Sequence, residues 1–304
     1  MEISIVTTLY NSSKFIEEFI SRIERIISKI NCTYEIILVD DGSSDNSIEI
    51  VLNIIKFNKN IKLIKLSKNF GHHKAILCGL SHSKANYTFL IDVDLEEEPE
   101  LLEVFYKRIN KEKVDLIYGV QERRNKDKFS GKMYWKLISI LTDINVDSNA
   151  CTVRIMNRDF INKLINFPQK DFYLGELSSY IGMKQSTLKV EKKYKGKSSY
   201  NFFMKYNMFF NMIFNNSSKI WVQLSIICFL LSFTSILIGL CFICSHLLGN
   251  SYLNGWLSII ISICLSSSVI LFFCAIILHL QTKILIETRA KPKYIIDQIY
   301  SFEK

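Results

Sequence analysis

FLIDVDLEEEPELL (residues 89–102) joins a short apolar run to a dense group of carboxylates. The apolar part ends at Ile91, and Asp92, Asp94 and three glutamates follow at once. The whole chain of 304 residues has a formal net charge of +9, so this negative charge is a local concentration. An apolar run that ends in carboxylates is typical of a buried strand whose carboxyl end faces a ligand.

Strands and helices alternate on both sides of this stretch. The continuous apolar runs that predict buried strands are residues 3–8, 35–39, 61–66, 87–91 and 116–119. Helical periodicity is found at residues 14–29, at 45–57, from 72 to about 83, and again after Pro99. The pattern predicts an α/β fold, in which a mostly parallel sheet is covered by helices on both faces.

Polar side chains follow three of the predicted strands. Thr8-Leu9-Tyr10-Asn11 follows the first strand, Asp40-Asp41 the second, and Asp92 with Asp94 the fourth. The carboxyl ends of parallel strands meet at one edge of a sheet, so we expect these groups to lie close together. Oxygen ligands favour Mg²⁺ or Mn²⁺ shared with substrate phosphates. The alternative is a loop of solvated carboxylates, because an Asp-x-Asp pair by itself is common by chance.

Two uncharged runs follow the predicted α/β domain, at residues 220–244 and 256–278. Each exceeds the roughly 20 apolar residues that cross a bilayer as a helix. We therefore predict a membrane hairpin, with a pair of buried core helices as the alternative. The short link between the runs has no Lys or Arg, whereas both flanks have several, which places both termini and the large domain in the cytoplasm. The N-terminus does not have the pattern of a secretory signal.

The predicted organisation has four parts. They are an α/β domain at 1–199, an interfacial amphipathic helix at 200–218, a two-helix transmembrane hairpin at 219–283, and a cytoplasmic tail at 284–304. The interfacial helix is predicted from its many Phe, Met and Tyr residues, and a core helix is the alternative. In the tail, Arg289, Lys291 and Lys293 are expected to face anionic lipid. No nucleic-acid-binding motif is found, so the positive charge is attributed to lipid and phosphate-bearing ligands.

With these motifs in place, the chain resembles the family-2 glycosyltransferases of the GT-A fold. Within that group it is similar to the polyprenyl-phosphate type, such as dolichol-phosphate mannose synthase and bactoprenol glucosyltransferase. The segments that carry the resemblance are EIILVDDGSSDNS (35–47), LSKNFGHHKAILCGLSHSKANYTFLIDVDLEEEPELL (66–102), YGVQERR (118–124), VRIMNRDFI (153–161) and KYKGKSSY (193–200). The resemblance implies inverting transfer of a sugar, most often from a UDP-sugar, to undecaprenyl phosphate. It also implies a bacterial inner-membrane protein that makes a lipid-linked sugar for cell-surface glycans, and a possible homo-oligomer.

The resemblance assigns nucleotide and metal roles to residues at the strand ends. Asp40 is expected to contact the base, and Asp92 and Asp94 the ribose and a metal-bound diphosphate. The remaining expected nucleotide contacts are Thr7, Leu9, Tyr10 and Val93. Glu96 stands where the family usually has Gln, so it is a possible third ligand of Mg²⁺ or Mn²⁺ besides the two aspartates. Glu97, Glu98 and Glu100 are interpreted as charges favoured at a helix start.

The acceptor implied by the resemblance is a phosphate monoester, which is already anionic at neutral pH because its second pKa is about 6. It needs cations that hold it beside the sugar more than it needs a strong base. The candidate cations are Arg124, Arg154, Lys193, Lys195 and Lys197. Arg124 and Arg154 match family positions and are also predicted to be catalytic. For each of the five, a solvated surface charge is the alternative.

The chain departs from the family pattern at several positions near the expected sugar. Thr152 stands where Asp is frequent, Gln121 where Arg is frequent, and Ser199 where Lys is frequent. We interpret these changes as a different donor sugar or weaker acceptor contacts. The pair His72-His73 is interpreted as structural or supporting rather than as a metal or acid–base site.

Two other functions are compatible with the same fold. A processive polysaccharide synthase usually has a Gln-x-x-Arg-Trp motif and more membrane helices, and neither is found here. A catalytically inactive membrane scaffold is the second alternative. The presence of Asp40, Asp92 and Asp94 argues against it.

Overall fold

The computed structural model describes residues 1–121, 149–167, 174–192 and 292–302, together with isolated positions between 248 and 284. The chain divides into two compact units. The first comprises residues 1–135, 144–201 and 292–304, and the second residues 136–143 and 202–291. The sheet and the helices considered below belong to the first unit.

Within the described residues, one sheet has eight strands. They are β1 (Ile3–Leu9), β2 (Tyr34–Asp40), β3 (Ile61–Leu66), β4 (Tyr87–Leu90), β5 (Leu116–Gln121), β6 (Ala150–Asn157), β7 (Gln185–Val190) and β8 (Ile296–Ser301). Their order is β7-β5-β6-β4-β1-β2-β3-β8. The neighbours among β1 to β4 are parallel, as are β5 and β7, whereas β6 and β8 run antiparallel to their neighbours. The predicted α/β fold with a mostly parallel sheet is confirmed.

Six helices connect these strands in the described part of the chain. They are α1 (Ile16–Ile30), α2 (Ser47–Ile55), α3 (His72–His82), α4 (Leu101–Glu112), α5 (Arg158–Ile165) and α6 (Leu174–Ile181). In α1 the apolar residues recur every three or four positions, so that Phe19, Ile23 and Ile27 lie on one buried stripe. The predicted helix at 14–29 therefore agrees with α1 in both extent and buried face.

The helices cover both faces of the sheet. Successive side chains of a strand point to opposite faces, so on β1 Ile5 packs with α1, α2 and α4 while Val6 packs with α3 and α5. Helix α3 approaches the sheet closely at Gly79, where an added Cβ would lie 2.5 Å from Val6 Cγ1. Two buried cores thus fix the parallel strands, and with them the edge at which their carboxyl ends meet.

Strand β8 was not predicted from the sequence. It pairs antiparallel with β3, and Lys65 Nζ lies 2.7 Å from Asp297 Oδ2 across the two strands. Just before β8, Tyr294 OH bonds to Ser81 Oγ at 2.8 Å, and Lys293 Nζ donates to the carbonyl oxygen of Phe167 at 2.6 Å. Lys293 is therefore half-buried against this unit, which differs from its predicted lipid-facing position.

The predicted interfacial helix at 200–218 lies outside the described residues, as does most of the predicted hairpin at 219–283. In the part of the chain that the structure describes, no helix has both the length and the apolar content needed to span a membrane. Both membrane segments remain predictions from the sequence.

Candidate active site

The turn after β2 presents Asp40 at the carboxyl edge of the sheet. Asp40 is fully buried, and its Oδ2 accepts hydrogen bonds from the backbone N–H groups of Gly42 and Ser43, both at 3.2 Å. Its Oδ1 is buried as well and has no hydrogen-bond partner among the described residues. A buried acceptor without a partner costs about 1–3 kcal/mol. Asp40 therefore has one acceptor oxygen that the described residues do not use, and its contact with the base stays a prediction.

The neighbouring Asp41 is bonded to the backbone of the loop before α3. Its two oxygens accept hydrogen bonds from the backbone N–H groups of Phe70 at 2.7 Å and Gly71 at 3.0 Å. Burial raises the pKa of Asp41, while these two hydrogen bonds act in the opposite direction. Gly42 has a φ of +78°, and an added Cβ there would lie 2.7 Å from the Asn69 nitrogen. The turn after β2 thus holds the loop that leads into α3.

The end of β1 contributes the residues that were predicted to frame the base and ribose. Thr7 and Leu9 are fully buried, and Thr7 Oγ1 has no hydrogen-bond partner among the described residues. Tyr10 is 56% exposed and stands just beyond the strand. Of the three, Tyr10 is accessible to a ligand, whereas Leu9 lies in the core.

The end of β4 brings Asp92 against the start of α3. His72 Nε2 lies 3.5 Å from Asp92 Oδ1, and His72 Nδ1 lies 3.1 Å from Thr8 Oγ1. Asp94 Oδ1 accepts a hydrogen bond from the Glu96 nitrogen at 3.0 Å, which closes a tight turn. The intervening Leu95 has a φ of +60°, a left-handed conformation that is uncommon for its side chain. The Asp-x-Asp pair is therefore part of a constrained turn rather than a solvated loop.

Glu97 corrects the interpretation made from the sequence. It was predicted to be a helix-start charge, yet its side chain is fully buried beside the Asp-x-Asp turn. Burial raises the pKa of Glu97 to about 7, and the nearby Asp92 adds to this, while Lys192 and Arg154 oppose it. Its neighbours include Cys151 and Arg154 of β6 and Lys192 just beyond β7, which a local helix-start pattern does not reveal.

Lys192 is the site residue that sequence reasoning missed. It follows β7, and its Nζ lies 3.1 Å from Glu96 Oε2 and 4.0 Å from Glu97 Oε1. Burial would lower the pKa of Lys192, but Glu97 and Glu96 raise it, and the net direction is upward. The ammonium is therefore charged and lies beside the carboxylates. Its position just beyond a parallel strand was the available signal, and β7 itself was not predicted.

Arg154 lies on β6 opposite Leu90 and is only 4% exposed. Its guanidinium donates to the carbonyl oxygens of Thr152 and Cys151, both at 3.0 Å, and to Ser178 Oγ at 3.4 Å. The structure thus places Arg154 in the wall of the site, with donors directed at its own chain. The backbone of Thr152, where the family often has Asp, is one of its acceptors.

Comparison with known proteins decides the family. The profile of Glycosyl transferase family 2 matches residues 4–168, more than half of the chain. The chain belongs to glycosyltransferase family 2. A Mycobacterium tuberculosis protein named as a glycosyltransferase is 32% identical over 306 residues, which cover 99% of this chain and 89% of its own length. The uncharacterized glycosyltransferase YkcC of Bacillus subtilis is 29% identical and covers 100% of this chain and 95% of its own.

Solved structures are less similar to this family-2 glycosyltransferase. The glucosyl-3-phosphoglycerate synthase from Mycobacterium tuberculosis, in complex with uridine-diphosphate, is 16% identical, with a TM-score of 0.49. That match covers 70% of this chain and 77% of the synthase. The family match and the full-length relatives confirm the prediction of a glycosyltransferase.

Several predicted site residues of this glycosyltransferase lie outside the described residues. They are Arg124, Lys193, Lys195 and Lys197, and their roles remain predictions. Within the described ranges, no group of three or more His, Cys, Asp and Glu side chains is placed to hold a metal ion. Glu96 is paired with Lys192, and its role as a third ligand beside Asp92 and Asp94 stays a prediction. An ion at this edge would take one or two carboxylates from the protein and the rest of its oxygen ligands from phosphate and water, as Mg²⁺ usually does.

Proposed function

We propose that the chain transfers a sugar from a UDP-sugar to undecaprenyl phosphate, with inversion at the anomeric carbon. The observation that carries this proposal is the position of Asp40, Asp92 and Asp94 at one carboxyl edge of the sheet, with the Lys192 ammonium beside the adjacent Glu96. Such an edge is where open α/β sheets bind nucleotides. The product is a lipid-linked sugar, made at the cytoplasmic face of a bacterial inner membrane.

The proposed site for the nucleotide base contains a hydrogen-bond acceptor. Asp40 Oδ1 is a buried oxygen without a partner in the described part of the chain, and uracil offers an N–H donor at its N3 position. A site built to bond a ligand N–H discriminates strongly against ligands that lack it. The exposed ring of Tyr10 stands at the end of the neighbouring β1 and can cover the base. These two residues support a nucleotide donor with an N–H on its base.

The diphosphate must approach a negative edge. Asp92 and Asp94 would repel it directly, so a divalent cation between carboxylates and phosphates fits the chemistry of this donor set. Asp94 and Asp92 would hold Mg²⁺ or Mn²⁺, and the bound ion would stabilise the charge that develops on the leaving diphosphate. Lys192 supplies a fixed positive charge at the same place. The chain's own contribution is thus to orient the donor and to balance the charge of its leaving group.

The lipid that accepts the sugar carries the nucleophile on its own phosphate. A phosphate oxygen of undecaprenyl phosphate attacks the anomeric carbon, a new C–O bond forms on the opposite face, and the bond to UDP breaks. No proton has to be removed, because the phosphate is anionic at neutral pH. The cations proposed to hold this phosphate are Arg124, Lys193, Lys195 and Lys197. The uncharged runs at 220–244 and 256–278 support a lipid acceptor, since they would keep the chain at the membrane.

A panel of radiolabelled nucleotide-sugars tests this function. The full-length chain, purified in detergent with Mn²⁺ and undecaprenyl phosphate, is expected to transfer label from one donor into organic-extractable lipid. Omission of undecaprenyl phosphate is the matched control and should abolish that label. Long water-soluble polymer would instead indicate a processive synthase. A panel in which no donor gives labelled lipid would reject the proposal.

A further inference from the structure

One imidazole ring joins two strand ends in this structure. His72 is the first residue of α3, its Nδ1 lies 3.1 Å from Thr8 Oγ1 in β1, and its Nε2 lies 3.5 Å from Asp92 Oδ1 after β4. The ring is 43% exposed, so its position is not imposed by deep burial. Its orientation is set by its two polar neighbours, one on each ring nitrogen.

The loop before α3 is fixed in a way that fits this arrangement. Asp41 accepts hydrogen bonds from the backbone N–H groups of Phe70 and Gly71, and Gly71 has a φ of +99°, which favours glycine. Helix α3 begins at the next residue, His72. The buried Asp41 carboxylate therefore fixes the position at which α3 starts, and with it the position of His72. Three strand ends, those of β1, β2 and β4, are thereby tied through one short segment.

The other histidines of α3 do not share these contacts. His73 is almost completely buried, and burial lowers its pKa to about 3, with His72 and Arg154 contributing. His82 stands at the far end of the helix, where its Nδ1 lies 2.9 Å from the carbonyl oxygen of Cys78. The contact with the Asp-x-Asp pair is therefore specific to His72 among the three.

We propose that His72 is a positioning residue that holds Asp92 in the orientation used for donor binding. The Thr8 hydroxyl donates to Nδ1, which leaves the ring hydrogen on Nε2, the nitrogen that lies 3.5 Å from Asp92 Oδ1. The carboxylate is then fixed through one oxygen, and Oδ2 is left for the donor. A side chain that is oriented before binding loses less entropy on binding, so the contact strengthens the donor complex. This inference rests on the proposed function, because Asp92 is assigned there to the divalent cation that accompanies the donor diphosphate.

Isothermal titration calorimetry, in which UDP is titrated into the full-length chain at saturating Mn²⁺, measures the Kd for UDP and tests the role of His72. His72→Ala is expected to raise the Kd by about tenfold, the lower end of what loss of an orienting partner costs. His72→Gln should recover most of the affinity, because its amide can still donate to Asp92. Thr8→Val should weaken binding by a smaller factor, and Thr8→Ser should resemble the wild type. His82→Gln is the matched control on the same helix and should change nothing.

The outcomes separate this inference from the proposed function. Loss of binding in Asp94→Asn, together with wild-type binding in His72→Ala, would overturn the role of His72 and leave the function intact. Equal weakening in His72→Ala and His72→Gln, with unchanged melting temperatures, would also overturn it, because the donated hydrogen bond would then be irrelevant. A wild-type chain that does not bind UDP with Mn²⁺ would reject the uridine donor and this inference together.

Discussion

Glu96 and Glu97 are neighbours in the chain, and the fold gives them different environments. Glu96 is partly exposed and lies 3.1 Å from Lys192, whereas Glu97 is fully buried. Burial raises the pKa of Glu97 to about 7, and the ammonium of Lys192, which pairs with Glu96, reduces the cost of the charged form of Glu97. The positive charge that offsets the acidic turn thus comes from a strand end far along the chain.

Replacement of Lys192 by Met tests this balance. Lys192→Met keeps most of the side-chain volume and removes the cation, so Glu97 loses its nearest positive charge. Breaking a fully buried ion pair costs about 3–5 kcal/mol, but Lys192 is partly exposed. Lys192→Met is therefore expected to lower the free energy of unfolding by about 2 kcal/mol. Transfer activity is expected to fall by about tenfold or more, since the leaving diphosphate also loses a cation.

The measurements are the free energy of unfolding and the initial rate of the full-length chain. Lys184→Met, at the exposed opposite end of the same strand, is the matched control and should leave both near the wild-type values. If both variants behave alike, Lys192 is not part of the site.

Asp45 gives a pH dependence of stability. Burial would raise its pKa, but hydrogen bonds from Ser47 Oγ and from the Ser13 and Ser47 nitrogens lower the pKa to about 2. In the unfolded chain the ordinary value is about 3.9. The stabilisation is therefore complete above the unfolded pKa and is lost as the pH falls from about 4 to about 2.

Asp45→Asn should make thermal unfolding less sensitive to pH in that interval. The difference in melting temperature between wild type and variant is expected to shrink from pH 5 to pH 2. Glu49→Gln, on the exposed side of α2, provides the control for general carboxylate effects. A difference that stays constant with pH would contradict the assignment.

The sequence was sufficient for the residues that follow apolar strands. Asp40, Asp92 and Asp94 were predicted at one edge of the sheet, and the structure places them at the ends of β2 and β4. It was not sufficient for Lys192 and Glu97, because their environment depends on contacts between distant segments. The local sequence predicts where a strand ends. It does not predict which side chains from distant segments of the chain lie beside that end.

At the scale of elements, the same distinction separates the predicted strands from the missed ones. The five predicted strands agree with β1 to β5 within two residues at each end, because each is rich in apolar residues, even where Lys62 and Lys65 interrupt β3. Strands β7 and β8 are largely polar and partly exposed, as expected at the edges of a sheet. Their pairing is decided by the neighbouring strand, so periodicity alone does not reveal them.

Packing of α3 on the sheet depends on Gly79. An added Cβ would lie 2.5 Å from Val6 Cγ1 and 3.1 Å from Val39 Cγ2. Alanine is favoured over glycine in helices by about 1 kcal/mol, but overpacking a core costs about 1–3 kcal/mol. Gly79→Ala is therefore expected to lower the free energy of unfolding by up to about 2 kcal/mol.

A double-mutant cycle with Val6→Ala gives the sharper measurement. Val6→Ala removes the atom that Gly79→Ala would meet, so the double variant should be more stable than the sum of the two single effects predicts. Strict additivity in chemical denaturation of the full-length chain would show that the close approach of α3 to β1 is not the cause.

At the scale of the whole molecule, the chain returns to its starting sheet. Both uncharged runs lie in the sequence between β7 and β8, and these two strands are the opposite edges of one sheet. An even number of membrane crossings between them would bring the chain back to the same side. A two-helix hairpin is an even number of crossings, and both the hairpin and the cytoplasmic side of the termini remain predictions from the sequence.

The central claim is that the edge formed by Asp40, Asp92 and Asp94 carries out glycosyl transfer to a lipid phosphate. The most direct test compares initial rates of lipid labelling by the wild type, Asp94→Asn and Glu98→Gln, with the donor that the panel selects. Asp94→Asn should reduce the rate by about 100-fold or more, the scale of losing one electrostatic contact to a transition state. Glu98→Gln, the same acid-to-amide change in the same loop, should stay within about twofold of the wild type. Equal rates for all three proteins would contradict the claim.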